Sequence, residues 1–152
     1  MAEQSHPMER RLVVRLLQYW RDVAEPDKLP SESDIDPDAI PDMWRNCVIL
    51  DVAGKETDPE FTYIGSELAA RAGADLAGCK LSAAPADTLI SKGLSYYGQV
   101  LAKRVPITFG GEFIDGRGIK ILYRSIILPL SKDGNGIDRL LGAANCREVA
   151  PE

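Results

Sequence analysis

The chain has 152 residues, 45% of them hydrophobic, and a formal net charge of −5. That length suits one domain with a short extension and a sizeable core, while the acidic balance argues against nucleic acid as a partner. No apolar run approaches the roughly 18 to 20 residues that a membrane span needs, so no membrane role is expected. Met1 to Arg11 is polar and leads into an amphipathic pattern rather than a secretory leader, which makes the cytoplasm the expected compartment. Cys47, Cys79 and Cys146 are odd in number and widely spaced, which fits buried free thiols better than disulfides or a zinc site.

From the start of the chain, Met8 to Val23 reads as an amphipathic helix. Leu12, Leu16, Tyr19 and Val23 follow a 3–4 spacing, with Val13, Leu17 and Trp20 beside them and arginines on the opposite face. Pro7 suits its first turn and Pro26 its stop. Residues 25–42 carry seven acidic residues against Lys28, with Pro26, Pro30, Pro37 and Pro41. This is an acidic linker, and Asp36-Pro37 reads as a cap and first-turn proline for one helical turn. Asp34, Asp36 and Asp38 imitate the start of a calcium loop, but Ala39 and Arg45 stand where that loop needs glycine and glutamate.

Two strands follow, over Asn46–Val52 and Phe61–Gly65, joined as a hairpin. A short helix is expected from a Ser66 cap to a Gly73 stop. Ala86 to Arg104 reads as one long helix whose inward stripe includes Leu89, Ile90, Gly93, Leu94, Tyr97, Val100 and Leu101. A strand is expected over Ile107–Ile114, with a bulge at Gly110-Gly111. The last two strands, Ile119–Leu130 and Arg139–Val149, form a long hairpin around the turn SKDGNGID. Gly142, Ala143 and Ala144 are small, so something large must lie against them. The fold class is α+β: five antiparallel strands with helices on one face and the leading amphipathic helix. The organisation is 1–25 helix, 26–45 acidic linker and 46–150 sheet domain.

Order and loop sequences together resemble a PAS domain. Tyr63-Ile64-Gly65-Ser66 sits at the strand-to-helix turn, Gly73-x-Asp75-Leu76-x-Gly78 precedes the long helix, and Leu128-Pro129-Leu130 with Leu141-Gly142 lies in the closing pair. Tyr19-Trp20, Asp34-Ile35-Asp36-Pro37 and Ile40-Pro41 resemble a bacterial subgroup of that family over nearly the whole chain. The resemblance implies a pocket between the helices and the inner sheet face, and a role as sensor or docking module. It also implies where cofactors would sit. Haem-binding members use a histidine on the long helix, and here the one histidine is His6. Flavin photoreceptors use Asn-Cys-Arg before the long helix. Asn145-Cys146-Arg147 has those letters in the last strand, and Cys79 lacks the neighbours. Neither haem nor flavin is therefore expected, and no cofactor is assigned.

No histidine in the domain means no Ser-His or Cys-His nucleophile pair there, and no Walker-type glycine loop occurs, so an enzyme is not expected. Two readings stand: a sensor that binds a small ligand internally and signals by protein contact, or an adaptor whose pocket its own side chains fill. The expected lining is Leu94, Tyr97 and Leu101 from the helix, with Thr108, Tyr123, Ser125 and Asn145 from the strands. Strand Ile119–Leu130 is apolar on both sides, so both sheet faces must be covered. The leading helix is the expected cover, from the same chain or a neighbour, and a homodimer is expected with Leu12, Leu16, Trp20 and Val23 at or near its contact. The partner in signalling is not legible.

Overall fold

The computed structural model describes residues 11–53 and 58–150. Among these residues, five α-helices and five strands follow one another as α1 (Arg11–Val23), α2 (Pro41–Trp44), β1 (Cys47–Asp51), β2 (Glu60–Ile64), α3 (Ser66–Ala72), α4 (Leu89–Gly93), α5 (Tyr97–Lys103), β3 (Ile107–Ile114), β4 (Lys120–Leu130) and β5 (Arg139–Val149). The strands form one antiparallel sheet in the order β2-β1-β5-β4-β3. Pro7, Met8 and His6 of the sequence reading lie outside the described residues. Among the described residues, no helix is long and apolar enough to cross a membrane.

Both faces of the sheet are covered, as the two apolar sides of β4 require. On the outer face, Cys47, Ile49, Ile126, Leu128, Leu141 and Ala143 lie under α1, whose Leu12 and Leu16 are 3% and 0% exposed. Burying two such leucines contributes roughly 3–6 kcal/mol. The helix is also pinned by polar contacts. Trp20 donates its indole N–H to the Pro129 carbonyl at 2.9 Å, and the Tyr19 hydroxyl accepts from the Asp36 amide at 2.8 Å. Thus Tyr19-Trp20 fastens the helix to the linker and to β4 at once. The linker itself drops Ile35, Ile40 and Met43 into the same cluster, and Asp36 caps the turn Pro37–Ala39 through the Asp38 amide at 2.9 Å.

On the inner face, Val48, Leu50, Phe61, Tyr123, Ile127, Leu140 and Ala144 meet α3, α4 and α5. Two glycines allow close approach. Gly65 caps α3 while its amide donates to the Cys47 carbonyl at 2.7 Å, and a Cβ there would fall 2.3 Å from the Arg45 carbonyl oxygen. The N-cap is therefore Gly65, not Ser66, because only a residue without a side chain fits against that backbone. At Gly142 a Cβ would lie 2.8 Å from the Leu94 methyl, so Leu94 is the large group that the small stretch of β5 accommodates.

Two expectations are corrected. The pairing of β3 with β4 is unbroken from Ile107 to Ile114, so Gly110-Gly111 is not a bulge. Instead Gly111 makes room for the Tyr123 ring, whose hydroxyl would sit 3.2 Å from an added Cβ. The long helix Ala86–Arg104 is two short helices, with a turn over Leu94-Ser95-Tyr96 between α4 and α5. Gly93 precedes the break, and the Ser95 hydroxyl donates back to the Lys92 carbonyl at 3.0 Å. A glycine–serine pair with back-bonding is a recognised cause of helix interruption.

Candidate functional site

The chemistry of the inner face gathers where that break crosses β4. The turn rotates Tyr96, rather than Tyr97, into the interior. Tyr96 is 6% exposed, and its hydroxyl lies 3.0 Å from the Ser125 hydroxyl and donates to the Ile107 carbonyl at 3.3 Å. Burial pushes the Tyr96 phenol up to about 12, and the Ser125 hydrogen bond only partly offsets that. This polar pair is enclosed by apolar groups: Leu94 and Val100 from the helices, with Ile127 and Ala144 from the sheet. Gly93 brings α4 down onto the sheet, where a Cβ would sit 3.3 Å from that of Ala144 and 3.5 Å from that of Ser125.

An aromatic row runs outward from the pair along β3. Ring centroids of Tyr96 and Phe109 are 5.2 Å apart, those of Phe109 and Tyr123 6.5 Å, and those of Phe113 and Tyr123 5.8 Å, all tilted. Such arrangements are the favoured ones for aromatic pairs. Phe109 is half exposed while Tyr123 is buried, so the row runs from the sheet edge towards the interior. Burial raises the Tyr123 phenol above its ordinary value.

Of the lining expected from sequence, Leu94, Tyr123 and Ser125 lie within this region, and Tyr97 and Leu101 pack partly buried against its margin. Thr108 and Asn145 do not join them. Thr108 pairs with Ile126 and Asn145 follows the inward Ala144, so strand alternation turns both to the outer face. Tyr96, Phe109 and Phe113 are the residues that sequence reasoning missed. The signal for Tyr96 was Gly93 with Ser95, which shifts the helical phase by one residue. Leu12 and Leu16, expected at or near a dimer contact, are instead buried against the sheet of their own chain, with Trp20 and Val23 packed beside them.

The three cysteines are unpaired. Cys47 lies in the outer core with its thiol against the Met43 carbonyl at 3.4 Å, and burial pushes it up to about 12, which keeps it protonated and inert. Cys79 and Cys146 pack against the inner cluster, and burial raises the Cys146 thiol as well. Among the described residues no group of three or more His, Cys, Asp or Glu could hold a metal ion.

The architecture defines a class. A five-stranded antiparallel sheet ordered 2-1-5-4-3, with short helices on its inner face, is the arrangement the PAS resemblance implied. The family model described as PAS domain matches residues 8–145, and the chain belongs to that family.

No curated protein matches the chain. Solved structures with similar folds include the light-state Aureochrome1 LOV photoreceptor domain, at 15% identity over 74% of this chain and 87% of that one, with a TM-score of 0.48. A variant of the Vivid protein matches at 12% identity over 97% and 100%, with a TM-score of 0.49. A light-oxygen-voltage domain described with a flavin analogue matches at 18% identity over 74% and 83%, with a TM-score of 0.49. At these identities the likeness describes the fold alone. It nevertheless corrects the expectation that flavin is unlikely and that no cofactor is assigned. Light-oxygen-voltage domains, one of them studied with a flavin analogue, stand among the structural neighbours. A flavin between α4–α5 and the sheet would need Leu94 and Tyr96 to leave the positions they fill here.

Proposed function

We propose that this chain is a sensory or regulatory PAS module that takes a small organic ligand between α4–α5 and the inner sheet face and signals through protein contact. The carrying observation is the Tyr96–Ser125 hydroxyl pair, at 3.0 Å, set in an apolar interior directly beneath the interrupted helix. Ligand sites of this kind are mostly apolar with a few placed polar groups. The lining proposed is Leu94, Tyr96, Tyr97, Leu101, Tyr123 and Ser125. A flavin ring, the group named for one structural neighbour, would enter this region only with Leu94 and Tyr96 displaced from the positions they fill here. In this reading residues 46–150 sense, 1–25 cover the outer face and 26–45 connect the two. The module is not itself an enzyme, works in the cytoplasm with reduced thiols, and acts as a homodimer on a signalling partner.

A second reading has an observation of its own. Leu94 is seated on Gly142 so closely that the interior is filled at that point, which favours an adaptor whose pocket its own side chains occupy. Native mass spectrometry of the full chain with an absorbance spectrum separates the two. The sensor reading expects an added mass that is lost on unfolding, and a flavin spectrum would name it. Bare chain mass in every preparation favours the adaptor.

A further inference from the structure

The two edges of the sheet are treated differently. The edge of β2 is closed by the loop before α4: the Phe61 amide donates to the Cys79 carbonyl at 2.9 Å, and the Gly78 amide to the Phe61 carbonyl at 2.8 Å. Among the described residues, the edge of β3 pairs with β4 alone. Its eight residues, ITFGGEFI, hold no proline, no bulge and one charge, Glu112. Edges are normally protected by those devices. The exposed large hydrophobics among the described residues also gather here. Val105, Phe109 and Ile114 lead into or belong to β3, and Val14, 67% exposed, faces it from α1 across a cleft that Thr108 and Gly110 help to line.

We infer that the β3 edge is a docking surface for a second copy of this chain, pairing antiparallel about a two-fold axis at Gly111. The Asp115 amide donates to the Ile119 carbonyl, so odd residues of β3 exchange bonds with β4 and even residues point their amides outward. A two-fold perpendicular to the sheet joins even to even residues and keeps both inner faces on one side. With Gly111 on the axis, Gly110 faces Glu112 of the partner subunit, Phe109 faces Phe113 of the partner subunit, and Thr108 faces Ile114 of the partner subunit.

This register is complementary in charge as well as shape. Arg124 is exposed, pairs with Gly110 across the ladder, and lays its side chain over it: a Cβ on Gly110 would sit 3.8 Å from the Arg124 Cγ. Having no side chain, Gly110 leaves the guanidinium a path to the edge, where strands about 4.8 Å apart bring in Glu112 of the partner subunit. In its own chain the Glu112 carboxylate meets Lys120 at 3.1 Å, an exposed pair that the new contact extends to three charges. The symmetry makes the arrangement twice. The partner's Ile114, otherwise exposed, enters the cleft between Val14 and Thr108, and the aromatic row continues across the axis. Moving the axis to Gly110 would instead set Phe109 against Gly111 and Phe113 against Ile107, and would bring Arg124 opposite its own copy.

The test is sedimentation equilibrium of the full chain with Glu112→Arg, Arg124→Glu and the double swap, joined to amide exchange. All three changes are at exposed sites. The expected result is a dimer for the parent chain. Each single swap should weaken its dissociation constant on the order of tenfold or more, because like charges then face each other twice, and the double swap should restore it. The outward amides of Thr108, Gly110 and Glu112 should lose protection on dilution to monomer. A parent chain that stays monomeric, a dimer indifferent to the single swaps, or outward amides that exchange equally in both states overturns the inference.

Discussion

The two faces of this sheet are both apolar and both covered, but they are closed in different ways. The outer face lies under one continuous helix with the linker beside it, held by Leu12 and Leu16 and fixed by the Trp20–Pro129 and Tyr19–Asp36 hydrogen bonds. The inner face lies under pieces: α3, then α4 and α5 with a turn between them, over a buried hydroxyl pair. A continuous helix with apolar contacts opens only as a whole. A roof in pieces opens piece by piece, with the low-stability units lending themselves to ligand entry. On the proposed function, the outer face serves structure and the inner face sensing.

Removing the cover breaks the outer face outright. A chain lacking residues 1–25 exposes Ile49, Ile126, Leu128 and Leu141 together, and should aggregate, seen as large species by light scattering. A soluble truncated chain of unchanged melting temperature would show that α1 is not the seal. A single Leu16→Ala should cost about 2–5 kcal/mol in denaturant unfolding.

On the inner face the largest effect is expected where packing is tightest. Gly142→Ala sets a methyl 2.8 Å from the Leu94 methyl and 3.0 Å from that of Val48, and should cost about 1–3 kcal/mol. Because Leu94 can yield, the double variant with Leu94→Ala should recover part of that loss, a coupling read from the double-mutant cycle. Strict additivity would mean the two do not share the space. Ser125→Ala leaves the Tyr96 hydroxyl its Ile107 partner only, so a smaller loss of about 0.5–1.5 kcal/mol is expected.

The weakest lever is pH. Tyr96 and Cys47 have folded values raised to about 12 from 10.0 and 9.0. Their protonated forms are favoured in the folded chain, so their stabilisation is complete below about pH 9 and is lost as pH rises towards about 12. Asp115 and Asp133 shift the other way. The Arg117 guanidinium beside Asp115, and the Asn135 and Gly136 amides at Asp133, hold these carboxyls below 3.8. Their contribution is present above that value and is lost as pH falls through the folded one. The β3–β4 and β4–β5 turns should therefore loosen first in acid, followed by residue-resolved amide exchange.

Strand content was legible because β3 and β5 are bounded by turn formers. The apolar character of β4 on both sides calls for a second cover from sequence alone. The same property hid the orientation of the strand, since two apolar faces give no sign of which is inward, and Asn145 and Thr108 were set on the wrong side. Periodicity ran smoothly through Gly93 and Ser95, so one helix was read where the chain makes two. The one-residue change of phase moved the buried phenol from Tyr97 to Tyr96. The cis packing of α1 was open in sequence because the linker length allows either arrangement. It follows in the structure from where Tyr19 and Trp20 find their partners.

The most direct test of the comparison is residue-resolved hydrogen exchange on the full chain in native buffer. The account predicts that amides of 89–103 exchange through local openings well below the global unfolding free energy, while those of α1 from Arg15 to Val23 exchange only near it. If α1 exchanged faster than α4 and α5, the roles assigned to the two faces would be reversed and the sensing account contradicted.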